Sequence, residues 1–440
     1  MARSKKHTPL LVYLNNKLVG RLTKKVSGSI EFSYDTQWLS WEHAIPTSLS
    51  MPLREEVYKG DVVLAVFENL LPDSGSIRSR VAERVGAQGI DFYNLLSEIG
   101  KDCVGALQFI PENITPPSSG EAAELKAIPI SDLEIESLLK NLTQSPLGLN
   151  RGDDFRISVA GAQEKTALLW HNNQWLKPLG ITPTTHIIKT QIGHLPNGID
   201  LSNSVENEYY CLKLFEAFGL SVNRAEMRTF GQTKALLIER FDRVWTKNGR
   251  LLRAPQEDLC QALSIPPSQK YQSEGGPGIE KILTFLKGSD HADKDQGTFL
   301  KAQILFWLIG ATDGHGKNFS IFLQPGGHFH MTPLYDVLTA QPSLFQNQLN
   351  RKQMKLAMFV GNSRHYRFDK ICGRHFVETA HKAGMRDDQI QPIIQSIIDQ
   401  ADKGFKTVRE KLPEDFPEDI YSSVEGAAQA RLINLKAALE

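Results

Sequence analysis

The sequence predicts an α+β protein with an N-terminal β-rich subdomain, a mixed lobe and an all-helical C-terminal lobe. Three observations carry this prediction. Short apolar runs broken by turn signals fill residues 10–34. Strand-like runs at 155–160, 166–170, 185–189 and 234–239 enclose one helical pattern at 205–218. From about residue 255 the periodicity turns helical, at 257–263, 279–286, 297–310, 376–383, 387–401 and 414–439.

In order along the chain, Leu10–Leu14, Leu18–Leu22 and Ser29–Tyr34 read as a strand meander, with Asn15-Asn16 as a turn. Helices are expected at 62–74, ending near Pro72, at 77–85 and at 91–100, followed by a closing strand at 105–110. The Pro116-Pro-Ser-Ser-Gly120 stretch reads as a linker. A helix over 131–142 takes Ser131 as its cap. The resulting division is 1–115, a linker at 116–130, a mixed lobe at 131–254 and a helical lobe at 255–440.

At 440 residues, 41% hydrophobic and 23% charged, the chain has the composition of a globular protein with room for several cores. Fifty basic and fifty acidic residues cancel, which argues against a free-standing nucleic-acid binder and leaves a DNA-binding partner open. The four cysteines, Cys103, Cys211, Cys260 and Cys372, are too scattered for a zinc site or disulfide framework. The basic start lacks the apolar run of a signal peptide, and no segment has the apolar length of a membrane span. The expected setting is cytoplasmic, with no membrane.

The chemistry centres on Ala311-Thr-Asp-Gly-His-Gly-Lys-Asn-Phe-Ser320 and on Asp336 downstream. Asp313 and Asn318 have the spacing of a kinase catalytic loop, in which an Asp accepts a hydroxyl proton and an Asn holds a metal. Two acids and an amide suit Mg²⁺, which prefers oxygen donors. Taken alone, Asp-Gly and Lys-Asn are also ordinary turn chemistry. His315 either orients Asp313, contacts a phosphate or is structural. Lys317 is placed to offset phosphoryl charge.

Four further stretches fit a nucleotide site. The small residues of Ser158-Val-Ala-Gly-Ala-Gln-Glu-Lys165 let backbone N–H groups approach phosphates, though a tight β-hairpin is the competing reading. Lys189 ends an apolar strand and, if inward, needs an anionic partner; an edge lysine reaching solvent is the alternative. Glu208, then Glu206, are the candidate helical partners for Lys189. Glu239-Arg-Phe-Asp242 reads as an adenine hinge, or as a charged strand end, with Asp242 reaching a ribose or a structural Arg.

These residues resemble the HipA-type serine/threonine-protein kinase toxins of HipBA type II toxin–antitoxin modules. The resemblance is carried by Asp154–Ala167, Gly180–Lys189, Asn207–Cys211, Glu239–Arg243, Pro255–Asp258, Ala311–Ser320, Asn69–Ser74 and Leu95–Gly100. It implies a two-lobed protein-kinase/phosphoinositide-kinase-like fold and the use of ATP and Mg²⁺. By motif, Asp313 is the catalytic base and Asn318 and Asp336 hold the metal. Ala160, Gly161, Ala162, Gln163, Glu164, Lys165 and Lys189 meet the phosphates, with His315, Gly316, Lys317 and Asn318. Glu239, Arg240 and Phe241 meet the adenine, and Ser158 is the autophosphorylated serine. The implied partners are a HipB-like helix-turn-helix antitoxin dimer, operator DNA reached mainly through it with the toxin as co-repressor, and glutamyl-tRNA synthetase as substrate. The implied outcome is growth arrest and persistence. The alternative is a catalytically idle nucleotide-binding scaffold. Gly316 stands where the family pattern has Ala, and 341–350 diverges.

Overall fold

A computed structural model describes residues 7–114, 125–149, 154–161 and 163–439. Of the expected linker 116–130, residues 116–124 lie outside the described residues, and Ala127–Pro129 is a paired edge strand rather than a free connector. The chain forms two compact units: Met1–Thr190, Arg228–Ser268 and Ile321–His328 make one, and Gln191–Met227, Gln269–Ser320 and Phe329–Glu440 the other.

The first unit opens with a five-stranded antiparallel sheet in the spatial order Tyr58–Lys59, Ile30–Tyr34, Lys17–Lys24, Leu10–Leu14 and Leu107–Pro111. Leu14 pairs with Lys17, and Asn15 and Asn16 both take positive φ. That is the mirror-image two-residue turn whose twist matches antiparallel strands. Helices Asp61–Glu68, Gly75–Val85 and Phe92–Ile99 follow, the last two capped by Ser74 and Asp91. Leu10, Val12, Leu22, Phe32, Phe67, Leu96 and Phe109 are fully buried in one cluster.

A second, six-stranded sheet has the order Ala225–Phe230, Thr233–Glu239, His186–Thr190, Lys165–His171, Gln174–Pro178 and Ala127–Pro129. The same Asn-Asn device, Asn172-Asn173, joins Lys165–His171 to Gln174–Pro178, a strand that periodicity does not reveal. Helix Asp132–Lys140 starts at a capping box formed by Ser131 and Glu134 and buries Ile135 and Leu139 against this sheet's apolar cluster.

One buried charge network spans this unit. The Asp102 carboxylate receives hydrogen bonds from Arg243 at 2.8 Å, Arg253 at 3.0 Å and Thr184 at 2.8 Å, and lies 3.4 Å from Arg240. Asp242 accepts two bonds from Arg240, at 2.9 and 2.8 Å, and one from the Gly105 N–H at 2.7 Å. Burial alone would raise the Asp102 carboxyl; the three guanidiniums outweigh it and hold the group well below the usual carboxylate range.

The second unit is dominated by helices Ser204–Ala217, Ile279–Leu286, Ala292–Ile309, Gly373–Lys382, Asp387–Arg409 and Glu418–Lys436. The stretch 255–440 is nevertheless not all helical. It contains the hairpin Lys355–Val360 with His365–Arg367, and the short strands Gln256–Asp258, Ser320–Leu323 and Phe329–Met331. These are too short for their alternation to stand out in sequence. All four cysteines are free thiols, three of them buried. Among the described residues, no helix is long and apolar enough to cross a membrane.

Two outcomes test the first unit. Asp102→Ala leaves Arg253 without its carboxylate and Arg240 and Arg243 sharing Asp242, so stability should fall by about 3–5 kcal/mol, seen as a lower urea midpoint at an unchanged m-value. Burial also pushes the Glu257 carboxyl up to about 8, against the hydrogen bond it accepts from the Leu49 N–H. A raised folded pKa stabilises most below the unfolded carboxylate range, and that contribution is lost as pH rises through about 8. Glu257→Gln should flatten this alkaline decline in thermal unfolding between roughly pH 5 and 9; an identical decline in the variant would refute the assignment.

Candidate functional site

The first unit supplies a lysine-lined loop. Phe155, Ile157 and Val159 alternate into the core of the first sheet, so 155–160 is extended; it is not, however, the strand expected from sequence. Its polar groups bond outside any sheet ladder. The Ser158 N–H goes to the Asp102 carbonyl at 2.9 Å, and the Ser158 hydroxyl donates to the Leu70 carbonyl at 2.7 Å. This removes the β-hairpin reading of 158–165.

Gly161 has φ +109°, and a Cβ there would lie 2.5 Å from the Lys165 Nζ. Only glycine lets that lysine fold back to donate to the Ala160 carbonyl at 2.9 Å. Gln163 ties the loop to the Thr190 carbonyl at 2.7 Å, and Glu164 pairs with Arg80. Ala162 lies outside the described residues.

Lys165 and Lys189 are directly opposite on adjacent strands, 5% and 4% exposed. Two ammonium groups side by side concentrate positive charge at this point of the sheet, which suits a polyanion. The solvent-edge reading of Lys189 falls with its burial.

Strand Thr233–Glu239 leads into the stretch read as a hinge. Glu239 is exposed at its end, and Phe241 is half-buried with its ring edge-on to Phe322 at 5.7 Å. Arg240 leaves the adenine set. Its N–H bonds to the Thr185 carbonyl at 2.8 Å and its guanidinium is sealed in the Asp102–Asp242 network. Asp242 takes the structural-Arg role rather than the ribose role.

The second unit supplies the acids. Helix Ala292–Ile309 ends at left-handed Gly310 and delivers the loop Ala311–Ser320. Asp313 has a half-exposed carboxylate that accepts a hydrogen bond from the Tyr271 hydroxyl. His315 is buried, its Nε2 3.7 Å from that carboxylate and its ring edge-on to Tyr271. Gly316 opens the buried 3-10 turn Gly316–Asn318, which also holds Lys317.

The Asn318 amide nitrogen donates to the backbone carbonyls of Asp313, at 2.7 Å, and Asp336, at 3.4 Å. Both partners are acceptors, so the amide orientation is determined and Oδ1 remains as an oxygen donor. Asp336 sits in the left-handed region at φ +59°, which Asp tolerates better than most residues. A carboxylate and an amide oxygen are the hard-oxygen donor types that Mg²⁺ takes.

The turn carrying Asp336 is held on both sides. Upstream, the Tyr335 hydroxyl donates to the Lys317 carbonyl at 3.0 Å. Downstream, Asn207 on helix Ser204–Ala217 bonds both the N–H and the carbonyl of Thr339, at 2.9 and 2.8 Å. Glu206, the second candidate partner for Lys189, accepts from Gln191 at 2.7 Å, and Glu208 is fully buried on the same helix.

Sequence reasoning missed the roles of Asn207 and Tyr271. An Asn inside a helix is a weak signal, since it competes with the helical backbone. Nothing local marks Tyr271.

Known proteins share this arrangement of elements. The HipA N-terminal domain family matches residues 10–110, and the HipA-like C-terminal domain family matches 157–405. The chain is 35% identical to the Sinorhizobium fredii protein Y4mE over 355 residues, 80% of each chain. It is 28% identical to the Shewanella oneidensis serine/threonine-protein kinase toxin HipA over 343 residues, 75% of each. The structure of the Shewanella HipA, HipB and operator DNA complex superposes with a TM-score of 0.78 at 22% identity, over 98% of this chain and 99% of that one. The α+β fold of this protein is therefore the two-lobed, kinase-like fold of HipA, and the chain belongs to the HipA family.

Proposed function

We propose that this chain is an ATP- and Mg²⁺-dependent serine/threonine protein kinase that acts as the toxin of a type II toxin–antitoxin module. The observation that carries the reading is the pair of hydrogen bonds that the Asn318 amide nitrogen donates to the backbone carbonyls of Asp313 and Asp336. One amide thereby joins the group that would accept the substrate's proton to the group that would hold the metal.

In this reading the Asp313 carboxylate, oriented by the Tyr271 hydroxyl, accepts the proton of the attacking serine or threonine. Lys165 and Lys189 hold the phosphates, with backbone N–H groups of the Ala160–Lys165 loop alongside. Mg²⁺, when held by Asn318 and Asp336, supplies charge neutralisation on phosphate oxygens. Glu239 and Phe241 contact the adenine. The domain division at 1–115, 131–254 and 255–440 assigns the phosphate loop and hinge to the middle segment and the acids to the last. The proposed setting is cytoplasmic, and glutamyl-tRNA synthetase is the acceptor that the family resemblance suggests. A HipB-like antitoxin dimer, itself carrying most operator-DNA contacts, is the proposed partner; the Shewanella HipA complex with HipB and its operator DNA supports it.

Ser158 is the proposed regulatory site. Its hydroxyl is completely buried and bonded to the Leu70 carbonyl, so modification requires the loop to leave first. A phosphate there adds roughly two negative charges, which the buried position does not accommodate. The loop would then stay out, and the kinase would be off.

Transfer of labelled phosphate from ATP to protein should fall by roughly 10²–10⁴-fold in Asp313→Gln. Full transfer by that variant would leave the idle-scaffold reading standing. Phosphorylated Ser158 should be found by mass spectrometry of the purified protein and be absent in Ser158→Ala. A phosphorylated form that turns over as fast as the unmodified one would sink the regulatory reading.

A further inference from the structure

A second feature of the acid-bearing unit has no part in the chemistry above. A cavity of about 600 Å³ opens beside the catalytic loop, lined among others by Tyr271, Thr312, Lys355, Arg364, Tyr366 and Lys370. Thr312 immediately precedes Asp313, and the Tyr271 hydroxyl bonds the Asp313 carboxylate. The pocket therefore shares a wall with the proposed base.

The opposite wall is the hairpin Lys355–Val360 with His365–Arg367. It is tied to the Tyr271 turn by the Phe359 N–H, which donates to the Gln272 Oε1 at 2.8 Å. Lys355 is opposite Arg367 in the register, two like charges facing each other. Asp369 neutralises Arg367 through two hydrogen bonds, at 3.0 and 2.6 Å. Lys355 and Arg364 form no ion pair among the described residues, Lys370 shares Asp369 with Arg367, and no carboxylate lines the pocket. In a chain whose charges cancel, this is a local excess of positive charge.

We propose that this pocket docks an acidic segment of the protein substrate, placing the neighbouring hydroxyl at Asp313. The proposal rests on the kinase reading above and adds a substrate class to it. Charge complementarity at a half-open surface chiefly sets partner choice and capture rate. A compact cavity favours a few carboxylates over nucleic acid, which calls for an extended basic track with stacked bases.

The test measures binding without ATP, by fluorescence anisotropy of the full chain with two labelled peptides. One carries a serine flanked by Asp and Glu; its counterpart carries Lys at the same places. The acidic peptide should bind about tenfold more tightly, and Lys355→Glu with Lys370→Glu should abolish that preference. In transfer assays the same double variant should raise KM for the acidic peptide and keep kcat. Arg364→Ala, a milder change, should show an intermediate loss and guards against misfolding of the double variant. Equal affinity for the two peptides overturns the proposal, as does an unchanged preference in the variants. Tighter binding of a labelled single-stranded RNA that displaces the acidic peptide also overturns it, in favour of a nucleic-acid surface. Because binding is read without phosphate transfer, an inactive protein that still prefers the acidic peptide would sink the kinase reading alone.

Discussion

Asp102 is the residue on which the first unit turns. Its carboxylate gathers Arg243 and Arg253, with Arg240 close by, and its backbone carbonyl takes the Ser158 N–H. One residue thus sets both the strand end at Glu239–Arg243 and the extended segment that leads into the lysine loop. Burying this many charges is costly unless each is met, and here the carboxylates of Asp102 and Asp242, the Thr184 hydroxyl and several carbonyls meet them. A network of this kind has one good arrangement, so it specifies position more than it adds stability.

The second unit solves a similar problem with neutral groups. Asn318 and Asn207 fix the backbone on either side of the Asp336 carboxylate, and Tyr335 closes the turn. An amide can donate and accept at once without adding charge. Neither amide adds a charge to the loop and turn that carry the Asp313 and Asp336 carboxylates. An arginine in either place would have competed for those same oxygens.

Residues that fail locally expected roles do so for identifiable reasons. Phe155-Arg-Ile-Ser-Val-Ala160 has strand periodicity because it does send alternate side chains into a core, but that core belongs to another sheet and its N–H groups bond elsewhere. Arg240 occupies a hinge position in sequence, yet its partners lie about 140 residues upstream at Asp102 and Cys103. The hairpin near 355–367 has no local signature, because six- and three-residue strands carry too few alternations to stand out. The cationic pocket it builds was equally invisible, since Tyr271 and Lys355 are far apart in the chain.

The amino-acid sequence alone determined what short-range physics encodes. Apolar period and turn chemistry marked the meander, the helices and the Asn-Asn turn, and the Asp-x₄-Asn spacing marked the loop that carries the acids. Those signals are local because backbone conformation and side-chain facing repeat every few residues. The tertiary structure decided which polar groups hold the protein together and which charges meet. Arg240 and Asp242 serve the first end, while Lys165 and Lys189 became buried neighbours through strand pairing. That choice depends on long-range partners and on burial, and neither is written in the residues on either side of a given position.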